Sequence, residues 1–163
     1  MSVNVYKPHL LVLAEDDANR QIANGFFLDP SVKLRNIDIL KPAGGWGKVL
    51  NSFLQDHIAA LRKWPGQHLV LLVDFDDQVE SRTQQFVSQF PADVRDRVFL
   101  LGTQSEPEPL RRQYGASFEN IGKKLAAECY RDENQLWDHP LLAHNAAERA
   151  RLNAKVKDIL FFT

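Results

Sequence analysis

Short, unbroken apolar runs alternate along this chain with longer segments whose apolar residues recur every three or four positions. The first run is His9-Leu10-Leu11-Val12-Leu13-Ala14, and it stops at Glu15-Asp16-Asp17. A run that is apolar at nearly every position suits a strand covered on both faces. The spacing next predicts a helix over 18–28, with Ile22, Phe26 and Phe27 inward and Asp29-Pro30 as its stop. A second strand falls within 32–40, where Ile37-Asp38-Ile39-Leu40 carries the signal, and a glycine-rich loop follows at 41–48. Leu50, Phe53, Leu54, His57, Ile58 and Leu61 then lie at helical spacing, ending before Pro65-Gly66. Leu69-Val70-Leu71-Leu72-Val73 is a third buried strand and runs into Asp74-Phe75-Asp76-Asp77. A helix over 79–90 buries Phe86, Val87 and Phe90, and Val98-Phe99-Leu100-Leu101 is a fourth strand, ending at Gly102.

Beyond Gly102 the pattern is helical. Ser105 with Glu108 reads as a capping box, a helix is expected over 117–130, and a last one over 146–160 with Asn145 and Glu148 as its cap pair. Asp17 fits the N-cap of the first helix, and Asp77 with Glu80 fits another capping box. The segment 136–144 is too apolar for a free linker. Neither an internal repeat nor a boundary is visible. The expectation is a single domain over 1–163, with an α/β core at 9–104 and a helical extension at 105–163. Strands alternating with helices imply α/β architecture: a four-stranded, mainly parallel sheet flanked by helices in three Rossmann-like layers.

Composition narrows the function. The 163 residues carry 20 Lys+Arg, 21 Asp+Glu and five His, a net charge of -1. That balance argues against a protein that coats nucleic acid or an anionic membrane through bulk charge. One cysteine, Cys129, allows no intrachain disulfide and reads as helix packing. No targeting signal and no membrane-length apolar stretch is visible, so a soluble, cytoplasmic protein is expected.

The chemistry gathers where strands end. In parallel sheets, ligands bind outside the carboxyl ends of the strands. Here the first strand ends in Glu15, the third in Asp74 and Asp76, and the second in the glycine loop. Carboxylates crowded in one crevice repel one another, so they take up protons or bind a cation. Mg2+, or Mn2+ in its place, suits such a site, because it takes one or two carboxylates plus waters and a substrate phosphate. If the chain is extended at Asp74-Phe75-Asp76, both carboxylates point the same way.

Glu15 and Asp74-Phe75-Asp76, in this order and strand context, resemble the TOPRIM domain shared by topoisomerases, bacterial primases and OLD-type nucleases. Gly44-Gly45-Trp46-Gly47-Lys48 sits where OLD-type members carry glycines, and the resemblance spans about 9–104. It implies metal-dependent phosphodiester chemistry on DNA or RNA, as a small nuclease. Asp74 and Asp76 would hold the metal, and Glu15 would hold metal or act as general acid or base. Lys48 would contact phosphate as a point charge, and the backbone of Gly44, Gly45 and Gly47 would approach phosphate oxygens. Asp16 and Glu106 are candidates for a second metal. Asp16 stands where the family often has glycine, and no tyrosine-bearing topoisomerase domain or primase zinc region is present. The tail, at Gly102, Ser105-Glu106-Pro107-Glu108, Ile121-Gly122 and His144-Asn145, resembles that of a bacterial family of small TOPRIM-like proteins.

Two other readings stay open. One is a non-catalytic nucleotide- or partner-binding protein that keeps the acidic pocket. The other starts from Glu15-Asp16-Asp17, which also resembles the opening of a response-regulator receiver, with Asp74 as acceptor and Thr103 as switch residue. Against the receiver, the gap from Glu15 to Asp74 is too long and no fifth strand ending in Lys is evident. A P-loop fails, because Pro42 takes the first glycine position and Val49 follows Lys48. His139 and His144 read as packing histidines. The basic groups Arg111-Arg112, Lys123-Lys124 and Arg149 to Lys157 read as solvated faces unless nucleic acid binds.

Overall fold

The computed structural model describes residues 3–163. Its centre is a four-stranded sheet of β1 (His9–Ala14), β2 (Ile37–Ile39), β3 (Gln67–Leu72) and β4 (Val98–Leu101). Spatial order is β2-β1-β3-β4, and every pairing is parallel. Around it lie α1 (Asp17–Leu28), α2 (Trp46–Ser52), α3 (Ile58–Lys63), α4 (Val79–Val87), α5 (Pro107–Tyr114), α6 (Phe118–Arg131) and α7 (Ala146–Leu160). The expected α/β architecture and helical C-terminus are both present.

The alternation of side chains along each strand divides the core in two. Leu10, Val12, Val70, Phe99 and Leu101 face Ile22, Leu110, Ile121, Leu125, Leu152 and Val156 of α1, α5, α6 and α7. Leu13, Leu69, Leu71, Val73, Val98 and Leu100 face Val49, Phe53, Leu61, Phe86 and Phe90 on the other side. Both faces are covered, which is why the strands read as unbroken apolar runs. Leu136, Trp137 and Leu142 are buried, so the apolar segment before α7 is part of the core. α1 and α6 meet at Gly25 and Gly122. A Cβ on either would fall 1.9 Å from a carbonyl oxygen of the facing helix, so these two positions admit only glycine without a shift.

Several helix starts differ from the sequence expectation. Asp16, not Asp17, caps α1, accepting the Asn19 N–H. Gln78 precedes α4 without a side-chain cap, so Asp77 and Glu80 form no capping box. Glu106 precedes α5, with Pro107 in its first turn, so Ser105 is not its cap. Proline there fixes a helical φ without losing a hydrogen bond. α2 runs through a π-helical turn, Phe53–His57, into α3. The wide turn uses one extra residue and rotates Leu54 away from the core, leaving it 39% exposed.

Asn145 and Glu148 also have a different task. The Asn145 amide accepts from Gly102 N at 3.2 Å and donates to Gly102 O at 2.9 Å. Glu148 Oε2 accepts from Leu100 N at 2.9 Å, and Arg151 donates to Val98 O. Asn145, just before α7, and Glu148 and Arg151 within it, each three residues on, thus satisfy backbone groups along the outer edge of β4 and at Gly102 just past its end. An unpaired strand edge invites pairing with another chain, and here a helix closes it.

Candidate functional site: two carboxylates at the switch point

From β1 the chain crosses to β2 on one side, then returns to β3 on the other. The carboxyl ends of β1 and β3 are therefore the switch point where an open α/β sheet forms its crevice. Ala14 is level with Leu72. Glu15 is one residue past that level and Asp74 two. Glu15 Oε2 accepts the Asp74 N–H at 2.6 Å, and both residues are buried, at 9% and 6% exposure. Asn19, one turn into α1, donates to Asp74 Oδ1 at 2.9 Å and to Asp16 Oδ1 at 3.1 Å. Neither Glu15 Oε1 nor Asp74 Oδ2 takes a hydrogen bond or ion pair from the described residues.

Burial raises the Asp74 carboxyl to about 7; the Asn19 bond opposes this, and the Glu15, Asp16 and Asp76 charges add to it. Burial also raises Glu15, against the lowering effect of the Asp74 N–H. These are two buried acids, and neither carboxylate takes a hydrogen bond from a Lys or Arg side chain among the described residues.

Asp76 is placed differently. It adopts φ 49°, in the left-handed region, followed by Asp77 at φ 59°. The chain therefore turns at Asp76 and does not continue as a strand, and the Asp76 carboxylate goes to Arg82 Nη1 at 3.2 Å. Among the described residues, no group of three or more His, Cys, Asp and Glu side chains converges as a metal site. Glu15 and Asp74 come together as expected, while Asp76 is held by a guanidinium. Asp16 is close by, its Oδ1 engaged with Asn19. Glu106 is exposed at the start of α5, and its side chain bonds to no described residue.

The glycine loop packs directly on β1. Gly44 and Gly45 both donate their N–H to the Glu15 carbonyl, at 2.8 and 3.1 Å. Those two amides are thereby committed to protein, contrary to the phosphate-facing role expected of them. Gly45 sits at φ 147°, a conformation that admits glycine with little strain. Gly47 and Lys48 belong to the first turn of α2, where backbone N–H groups lack intrahelical acceptors. Lys48 is exposed, lies back over Gly44, and makes no ion pair among the described residues.

Asn19 and Arg82 escaped the sequence reading, although both are buried polar residues of the site. Their signal was helical phase. Arg82 is four residues before Phe86 and Asn19 is three before Ile22, so each shares the inward stripe of its helix. Thr103 is buried, with its hydroxyl donating to Ser105 O. His139 Nδ1 accepts from Leu141 N, and His144 packs edge-on against Phe75 with both ring nitrogens buried and unpartnered; among the described residues neither joins a metal group. No helix among the described residues is long and apolar enough to cross a membrane. Compared with known proteins, the chain matches no family model, no curated protein and no solved structure.

Proposed function

We propose that this chain performs divalent-cation-dependent phosphoryl chemistry at Glu15 and Asp74, with cleavage of a nucleic-acid phosphodiester as the reaction. The observation that carries this reading is the meeting of two buried carboxylates at the switch point, each with an oxygen that has no partner among the described residues. Mg2+ binds through one or two carboxylates and completes its shell with water and phosphate oxygens. The donor set fits that mode, and does not fit a closed all-protein cage. A divalent ion held there would offset charge on the phosphate and lower the pKa of an attacking water.

The protein's own groups have defined roles in this reading. Asp74, raised to about 7 by burial, would give up its proton when a cation takes its carboxylate, so cation binding would strengthen with rising pH. The Asp74 N–H fixes Glu15, and Asn19 fixes Asp74. Lys48, which makes no ion pair among the described residues, supplies positive charge to an incoming phosphate. The TOPRIM resemblance of Glu15 and Asp74-Phe75-Asp76 supports the nucleic-acid substrate. The competing reading, a non-catalytic nucleotide- or partner-binding module, is favoured by the Asp76–Arg82 pair, which leaves two carboxylates where the resemblance implies three. A receiver-type phosphoacceptor is disfavoured. The Thr103 hydroxyl is turned to Ser105 O, and α7 covers the edge of β4 that a fifth strand would use.

The test is cleavage of single- and double-stranded DNA, RNA and a chromogenic phosphodiester with Mg2+ or Mn2+. Cleavage that is abolished by chelation and by Asp74→Asn in a folded protein supports the proposal. No cleavage of any substrate favours the binding module.

A further inference from the structure

We infer that Arg82 is a positioning residue: it holds Asp76 away from Glu15 and Asp74, and a divalent cation binds by drawing Asp76 off it. This rests on the metal reading above. The Arg82 side chain is 6% exposed, whereas that of Asp76 is 47% exposed. Nη1 bridges the Asp74 carbonyl at 3.0 Å and Asp76 Oδ2 at 3.2 Å. The guanidinium carbon lies 4.1 Å from the centre of the Trp46 ring, within cation–π range. Nε is buried with no partner. One cation therefore touches both loops of the site: the Asp74–Asp77 turn, and the start of α2 just after Gly44 and Gly45.

Arg82 is fixed by burial and stacking, and Asp76 is the movable member of the pair. Its only side-chain partner among the described residues is that single Nη1. Its left-handed backbone is one that an L residue adopts at a cost. The turn itself is anchored by backbone bonds, Phe75 N–H to Thr103 O at 3.0 Å and Asp77 N–H to Gln104 O at 2.8 Å, so what can change partner is the half-exposed Asp76 carboxylate and not the backbone. A divalent ion beside Asp74 offers Asp76 twice the charge of Arg82, two residues along the chain. Arg82 thus competes with the ion for Asp76 and repels the ion directly. The Trp46 ring, stacked on the guanidinium, senses the change.

The experiment is Mn2+ titration by calorimetry and tryptophan fluorescence on the full chain, comparing wild type, R82Q, D76N, R82Q/D76N and W46F. R82Q should bind Mn2+ roughly tenfold more tightly, since a unit charge a few ångströms away is worth more than that in a partly buried site. D76N should bind more weakly, R82Q should gain less in the D76N background than in the wild type, and the Mn2+-induced fluorescence change should vanish in W46F. Unchanged or weaker binding by folded R82Q overturns the proposal, as does a gain from R82Q that is equally large in the wild-type and D76N backgrounds. If R82Q does not fold, D76N decides alone, and unchanged affinity there is the contrary result. Wild type that binds no Mn2+ overturns the metal reading itself, whereas binding indifferent to positions 76 and 82 overturns only this inference.

Discussion

The backbone N–H of Asp74 and the Glu15 carboxylate lie 2.6 Å apart, so one buried acid is oriented by the main chain of another. That bond steadies Glu15 without neutralising Asp74, whose nearest side-chain donor is the uncharged Asn19. The site is thus ordered but electrostatically costly. Active sites commonly carry such a cost, and removing it stabilises the fold while abolishing function.

Asp74→Asn should therefore stabilise the protein at alkaline pH. The Asp74 carboxyl is raised from 3.8 to about 7, so the folded chain holds this proton more tightly than the unfolded chain. The stabilising contribution is complete below pH 3.8, declines above it, and is lost as pH rises through 7. At 1.36 kcal/mol per pH unit, the loss has an upper bound of about 4 kcal/mol. Asn keeps an oxygen for Asn19 and does not titrate. Urea unfolding at pH 8 should show Asp74→Asn more stable than wild type, and the gap should shrink toward pH 4. A variant less stable than wild type at pH 8 would contradict the burial account.

Asn145→Ala should destabilise strongly for one side chain. It leaves Gly102 N and Gly102 O, both in a buried residue at the edge of β4, without partners. Each orphaned buried group costs about 1–3 kcal/mol, and urea unfolding measures the sum. Asn145→Asp retains an acceptor for Gly102 N but offers Gly102 O no donor, so it should recover only part of the loss. Wild-type stability in Asn145→Ala would show that α7 does not secure the strand edge.

Cys129 should be inert in the native state. It is buried in α6, and burial raises its thiol to about 11. Thiolate is the reactive form, so alkylation at pH 8 should be slow in buffer and fast in denaturant. Fast labelling of the folded protein would place Cys129 outside the core.

What the sequence revealed follows from how many signals each feature carries. β1 and β4 are apolar at nearly every position and lie where expected. β3 begins two residues earlier, at Gln67 and His68, because polar residues open the strand and stay buried by bonding His9 Nε2 and Gly66 O. The meeting of Glu15 and Asp74 was legible, since adjacent parallel strands in register must bring their ends together. The withdrawal of Asp76 was not. It depends on a left-handed turn at an aspartate and on an arginine one turn into α4. Neither is marked in the chain except by Arg82 falling in phase with Phe86. The caps slipped by one residue at α1 and α5, where Asp16-Asp17 and Ser105-Glu106 offer competing starts. The chain around Asn145 and Glu148 has the pattern of a cap, but the edge of β4 has the stronger claim on both side chains.

The most direct test of the central claim, that Glu15 and Asp74 together bind a divalent cation, is thermal unfolding at pH 8 with and without millimolar Mn2+. A ligand that binds only the folded state raises its melting temperature by mass action. The wild-type melting temperature should rise on adding Mn2+ and fall back on chelation, while that of Asp74→Asn, higher at the outset, should not respond. Equal responses in the two proteins, or none in the wild type, would contradict the account.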